Sequence, residues 1–170
     1  MDAIHTERLV IRPFEATDAQ ALQAILGDAE TMAFLEPPYD LARTEKFLRD
    51  FCIGRQGAMA AALRETGQVI GYLLFNALEE GVYELGWIFH RAFWRQGYAY
   101  EATRALTRRA FEELQAHKVV AETIDPVKSV GLMKKLGMRL EGVQRLHTKD
   151  NEGRWRDLHL YGLLRDEYED

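Results

Sequence analysis

The spacing of apolar residues changes period several times along the chain. In "RLVIRPF" (8–14), Leu9 and Ile11 alternate and Phe14 follows, which predicts a short first strand closed by Pro13. "TDAQALQAIL" shifts to helical spacing: Leu22, Ile25 and Leu26 form an apolar stripe, Thr17 and Gln20 offer a capping box, and Gly27 marks the end. The next stretch, "FLEPPYD" (34–40), contains Pro37 and Pro38 and cannot be regular helix, yet carries Phe34, Leu35 and Tyr39; it reads as an apolar loop. A second helix is predicted from about 44 to 51.

From 58 to 90 the period drops to two. "AMAAALRE", "QVIGYLLFN" and "VYELGWIFH" are separated by "TG" and "ALEEG", an antiparallel meander of three strands, with Gly86 marking a bulge or a close backbone approach. "FWRQGYAYEA" (93–102) then leads into a helix of roughly four turns, in which Leu106, Ala110, Phe111 and Leu114 keep helical spacing. "KVVAETI" (118–124) is a short buried strand, and "SVGLMKKLG" a short helix with Ser129 at its start and Gly137 at its C′ position. "MRLEGVQRLHT" and "RWRDLHLYGLL" flank "KDNEG", whose turn formers predict a long hairpin. With no repeat, linker or low-complexity segment, residues 1–170 are expected to form a single domain.

Composition narrows the class. A chain of 170 residues with 47% apolar positions can bury a core of its own. Its net charge of −5 argues against broad binding to nucleic acid, no apolar run approaches the ~18 residues of a membrane span, and nothing resembles an export signal, so a cytoplasmic location is expected. Cys52 stands alone between Phe51 and Ile53 as a small buried thiol, and the five histidines lack metal-ligand spacing, so no metal site is expected.

The chemistry is expected at the glycine-containing turn. A strand entering a helix leaves up to four backbone N–H groups unpaired at the positive end of the macrodipole, a place that binds phosphate or pyrophosphate. Gly97 allows close approach, Ala99 keeps the first turn small and Arg95 adds a positive side chain. Neither GxGxxG nor GxxxxGK[ST] is present, and the antiparallel meander before the turn does not match a Rossmann order.

At these residues the chain resembles the GNAT superfamily of N-acetyltransferases, and within it the group like the bacterial ribosomal-protein N-terminal acetyltransferases. That family's loop reads (Gln/Arg)-x-x-Gly-x-(Gly/Ala), matched by "ELGW…FWRQGYAYEA"; "TERLVIRPF", "SVGLMKKLGMRLEG" and "RWRDLHLYGLLRDEY" match in order, over nearly the whole chain. Trp94 departs from the loop's first position and Arg95 from a glycine common in the group. "DPVKS" is two residues short and lacks the family's asparagine.

The resemblance implies an α+β fold: one GNAT-type domain with a central, mostly antiparallel twisted sheet of about seven strands and helices on both faces. It implies acetyl-CoA as cosubstrate and direct acetyl transfer to a primary amine through a tetrahedral oxyanion. The acceptor is a protein N-terminus or a small molecule, and a homodimer is left open. Glu84, alternating to the face opposite Tyr83, Leu85 and Trp87, is the candidate base. Backbone N–H groups near Trp87, Ile88 and Phe89, freed by a bulge, are candidates for oxyanion stabilisation. Ser129 is the matching hydroxyl for the thiolate and also a candidate helix cap. Arg95, Gln96, Gly97, Tyr98, Ala99 and Tyr100 form the expected cofactor loop, and Lys134 and Lys135 are the partners expected for the 3′-phosphate. At the acceptor end, Phe34, Tyr39 and Trp155 are expected as an apolar wall, with Glu36 and Asp40 attracting a cationic amine. A non-catalytic acyl-CoA-binding or sensor module is the alternative.

Overall fold

The computed structural model describes residues 2–125 and 127–169; Met1, Asp170 and Pro126, which belongs to the "DPVKS" stretch, lie outside the described residues. Eight strands form one sheet in the order β1-β2-β3-β4-β5-β6-β8-β7. They are β1 (Ile4–His5), β2 (Leu9–Pro13), β3 (Ala58–Leu63), β4 (Val69–Glu79), β5 (Val82–Phe89), β6 (Lys118–Thr123), β7 (Arg139–Lys149) and β8 (Trp155–Leu164). The eighth strand, beyond the seven expected, is β1: two residues too short to show a period, held by pairing with β2. Every pairing is antiparallel except that of β5 with β6.

Helices cover both faces because the strand residues alternate between two apolar layers. Ala58, Ala60, Ala62 and Tyr72 pack with Leu22, Ile25 and Leu26 of α1 (Ala19–Leu26) and with Leu48 and Cys52 after α2 (Leu41–Phe47). Met59, Ala61, Leu73 and Leu85 pack with Ala102 and Leu106 of α3 (Tyr98–Arg108) and Met133 of α4 (Lys128–Lys135). The small alanines of β3, buried on both sides, let the helices approach closely. Cys52 is buried, and burial pushes its thiol up to about 12.

Two local expectations are corrected, and a third is narrowed to one of its alternatives. Thr17 and Gln20 do not form the capping box: Thr17 lies in a 3-10 turn (Ala16–Asp18), and the Glu15 N–H donates to Asp18 Oδ2 at 2.8 Å instead. The second helix begins at Leu41, three residues early, because the Asp40 carboxylate caps it by accepting from the Arg43 N–H at 2.8 Å; it continues as a π-turn over Leu48–Ile53. Gly86 marks a close approach rather than a bulge: the β4–β5 register is continuous there, and a Cβ would sit 3.1 Å from the Leu74 Cβ. Gly137 does take the left-handed C′ position after α4, with φ 81°.

Candidate active site

The parallel pairing of β5 with β6 is short. It holds Val82 to Lys118, Tyr83 to Val119 and Glu84 to Val120, after which the strands diverge although β5 runs on to Phe89 and β6 to Thr123. A cleft opens in the gap. The His90 N–H donates to the Ile70 carbonyl on β4 at 3.0 Å, so by strand alternation the Ile88 amide also faces β4 while those of Trp87 and Phe89 face the gap. These amides are released by divergence, not by the expected bulge, and two of the three expected residues supply them.

After β5 the chain makes a 3-10 turn (Arg91–Phe93) and passes through two left-handed residues, Arg95 (φ 60°) and Gly97 (φ 84°). Gly97 is the N-cap of α3, and the helical ladder begins with the Glu101 N–H donating to the Gly97 carbonyl at 3.0 Å. The amides between precede any i→i−4 bond and form the positive end of the helix. The turn is braced from β2: Arg8 donates through Nη1 to the Gln96 carbonyl at 2.8 Å and through Nε to Glu101 at 2.7 Å. Glu101 also accepts from the Thr6 hydroxyl at 2.6 Å and the Arg8 N–H at 2.7 Å. Burial opposes ionisation of Glu101, but the bonds from Thr6 and Arg8 prevail and hold its carboxyl below the usual range.

Trp94, the departure from the family's loop pattern, has a bracing role. Its Nε1 donates to the Phe89 carbonyl at 2.7 Å, and the Lys128 ammonium lies 3.7 Å from its ring centroid. Lys128 thus stands beside a cavity of about 490 Å³ lined by Arg95, Gly97, Tyr98, Ala99, Tyr100 and Ser129 among others. Lys134 and Lys135 do not line it; the Lys135 ammonium lies over Tyr100, 4.1 Å from its ring centroid. The Gln96 side chain turns back to the Ala92 carbonyl at 3.0 Å.

Ser129 is not the cap of α4. Asp125 Oδ1 accepts from the Val127 and Lys128 N–H groups at 2.9 and 3.1 Å, which leaves the Ser129 hydroxyl without a hydrogen-bond partner among the described residues. Ser129 lines both this cavity and a second one of about 840 Å³.

The second cavity lies on the α1/α2 side. Glu84 lines it with Glu122, the corresponding face of β6, and with Tyr72, while the α1–α2 loop contributes Phe34, Glu36 and Tyr39 and the β7–β8 turn contributes Lys149, Asp150 and Asn151. Burial pushes the Glu84 carboxyl above its ordinary value, and the Glu122 charge adds to the shift. Among the described residues neither carboxylate accepts a hydrogen bond or pairs with a cation. Burial also raises the Tyr72 hydroxyl, keeping it a neutral donor.

Several acceptor-end residues are committed elsewhere. Glu36 accepts from the Tyr39 hydroxyl at 3.0 Å and pairs with Arg43; Asp40 caps α2 and does not line the cavity. Trp155 is exposed outside the cavity under Lys149. Burial opposes ionisation of Asp150, yet bonds from the Arg154 and Glu152 amides and from the Arg154 and Arg156 side chains hold its carboxyl far below the usual range.

Sequence reasoning missed Arg8, Glu101, Lys128, Tyr72, Glu122 and Asp150 as parts of the site. The alternation that singles out Glu84 would also have singled out Glu122 in "KVVAETI"; no local signal joins Arg8 to Glu101.

The cleft thus lies between a splayed parallel strand pair, with an unpaired helix start at one end and two neighbouring carboxylates at the other. A family model for the acetyltransferase (GNAT) domain matches residues 8–139, and the chain belongs to that family. It is an acetyltransferase, and the family uses acetyl-CoA as cosubstrate. It is similar to the uncharacterized N-acetyltransferase YnaD of Bacillus subtilis (strain 168), 34% identical over 97% of this chain and 98% of that protein. The crystal structure of an acetyltransferase (GNAT family) from Bacillus anthracis is 27% identical, covers 98% of this chain and 100% of that one, and has a TM-score of 0.89. A ribosomal-protein-S5-alanine acetyltransferase from Vibrio fischeri shares the fold over 100% of both chains, at 16% identity and TM-score 0.80. Among the described residues no helix is long and apolar enough to cross a membrane.

Proposed function

We propose that the enzyme seats the pyrophosphate of acetyl-CoA on the amides of residues 95 to 100 and passes the acetyl group to a primary amine entering from the Glu84 end. The divergence of β5 from β6 carries this reading: the loop and Phe89 line one cavity, Glu84 lines the other, and Trp87 and Ser129 line both. Arg95 and Lys128 supply positive charge beside the phosphates.

An amine must be neutral to attack. An α-amino group of pKa ~8 is partly so at pH 7, while an alkylamine near ~10.4 is neutral roughly one time in 2,500. Glu84, raised by burial and by Glu122, takes the proton directly or through a water. The Trp87 and Phe89 N–H groups stabilise the tetrahedral oxyanion. The departing thiolate, whose parent thiol has a pKa of ~8.5, accepts a hydrogen bond from the Ser129 hydroxyl.

Incubation with acetyl-CoA and a mixed set of amines, followed by thiol detection, tests the proposal. Amine-dependent thiol release is expected. Tight binding without release would make the chain a non-catalytic module, and no binding would overturn the cofactor site.

A further inference from the structure

The acceptor cavity has an aromatic part and an acidic part, with the Tyr72 hydroxyl within electrostatic reach of Glu84. On one side, ring packs on ring: Tyr39 meets Phe47 edge-on at 5.7 Å, and Phe47 lies 5.9 Å from Tyr72, all three lining the cavity with Phe34, Phe51 and Leu74. On the other side stand Glu84 and Glu122, the only lining carboxylates without a partner among the described residues. Glu36 is neutralised by Arg43 and Asp150 by Arg154 and Arg156. Negative charge is therefore concentrated at one place, beside the sheet.

We infer that the acceptor is a small primary monoamine with an aromatic body, its nitrogen beside Glu84 and Glu122 and its ring against Phe34, Tyr39, Phe47 and Tyr72. This rests on the acetyltransferase reading above. A cavity of about 840 Å³ holds such a molecule, with aromatic wall and polar anchor divided as a specific small-molecule site requires. With Glu84 engaged at the reacting amine, a triamine such as spermidine brings two further charges and only Glu122 to receive them. An aminoglycoside leaves many hydroxyls unpaired against the rings. For a peptide the approach is narrowed where the Asn151 N–H and side-chain amide donate to the Ala33 and Ala29 carbonyls at 3.5 and 3.4 Å, joining the β7–β8 turn to the α1–α2 loop.

Initial rates of thiol release with 2-phenylethylamine, butylamine, spermidine, kanamycin and an alanyl tetrapeptide test this, with acetyl-CoA affinity measured by calorimetry. The kcat/KM for 2-phenylethylamine should exceed those for spermidine, kanamycin and the peptide by roughly tenfold or more. Phe47→Leu, and Phe34→Ala in the loop where folding is less at risk, should raise KM for 2-phenylethylamine roughly fivefold more than they raise KM for butylamine. Faster turnover of spermidine, kanamycin or the peptide overturns the inference and leaves the acetyltransferase reading standing. So does an unchanged KM in both folded variants. Failure to bind acetyl-CoA overturns that reading as well.

Discussion

Gly97→Val should weaken acetyl-CoA binding, and the structure indicates by how much. Gly97 caps α3 at φ 84° and ψ 0°, a left-handed conformation that costs an ordinary residue about 1–2 kcal/mol and a β-branched residue more. A Cβ there would also approach Arg8 Nη2 at 3.3 Å, on a guanidinium already held by Gln96 and Glu101. Folding stability should fall by about 1–3 kcal/mol, a drop in Tm of roughly 2–10 °C for a chain of this size. Binding suffers in addition if the turn relaxes, because each charge-assisted amide bond to a phosphate contributes about 1.5–3 kcal/mol, so one misplaced amide weakens affinity at least roughly tenfold. Gly97→Asn separates the two effects: asparagine tolerates the left-handed region, so Tm should stay close to that of the parent, while its side chain still crowds the ligand. Calorimetric titration with acetyl-CoA, paired with thermal melts, reads both. A folded Gly97→Val variant with the parent's affinity would remove this loop from the cofactor site, and an Asn variant melting as low as the Val variant would refute the strain argument.

Glu84→Gln should lower kcat at pH 7 with little change in acetyl-CoA affinity, and the loss should shrink toward pH 9.5 as the amine deprotonates unaided; equal losses at both pH values would exclude base catalysis by Glu84. Glu101→Ala removes the acceptor of three hydrogen bonds and should cost about 2 kcal/mol by denaturant titration, after discounting for the exposure of Arg8. Because its folded pKa is depressed, the contribution of Glu101 is present above the unfolded value of ~4.3 and lost as pH falls through the folded one, so parent and variant curves should converge in acid. Asp125→Ala should cost about 1 kcal/mol of stability as the loss of a cap, whereas Ser129→Ala should leave Tm nearly unchanged and reduce turnover; the reverse pattern would restore Ser129 as the cap.

Local pattern was enough for most elements and for the loop. The helical spacing after Tyr98 is written by burial on one face, the strands of 58–90, the first two buried on both faces, by apolar runs between turn formers, and Gly97 announces its turn through the lack of a side chain. The alternation that put Glu84 opposite Leu85 and Trp87 held, because a pleated strand permits nothing else. Caps were less legible: Asp40 caps the second helix ahead of its expected start, and Asp125 rather than Ser129 accepts from the first amides of α4, because an N-cap depends on where the chain enters the helix, a matter of tertiary path. The site's polarity belonged to the tertiary structure alone. Glu36 and Asp40 read in sequence as free acids, yet folding commits one to Arg43 and the other to a helix start. The divergence of β5 from β6, which makes the cleft, has no sequence signature because parallel partners lie far apart in the chain. Arg8 meets Glu101 across 93 positions for the same reason: long-range pairing is decided by how the sheet closes, and no local spacing encodes it.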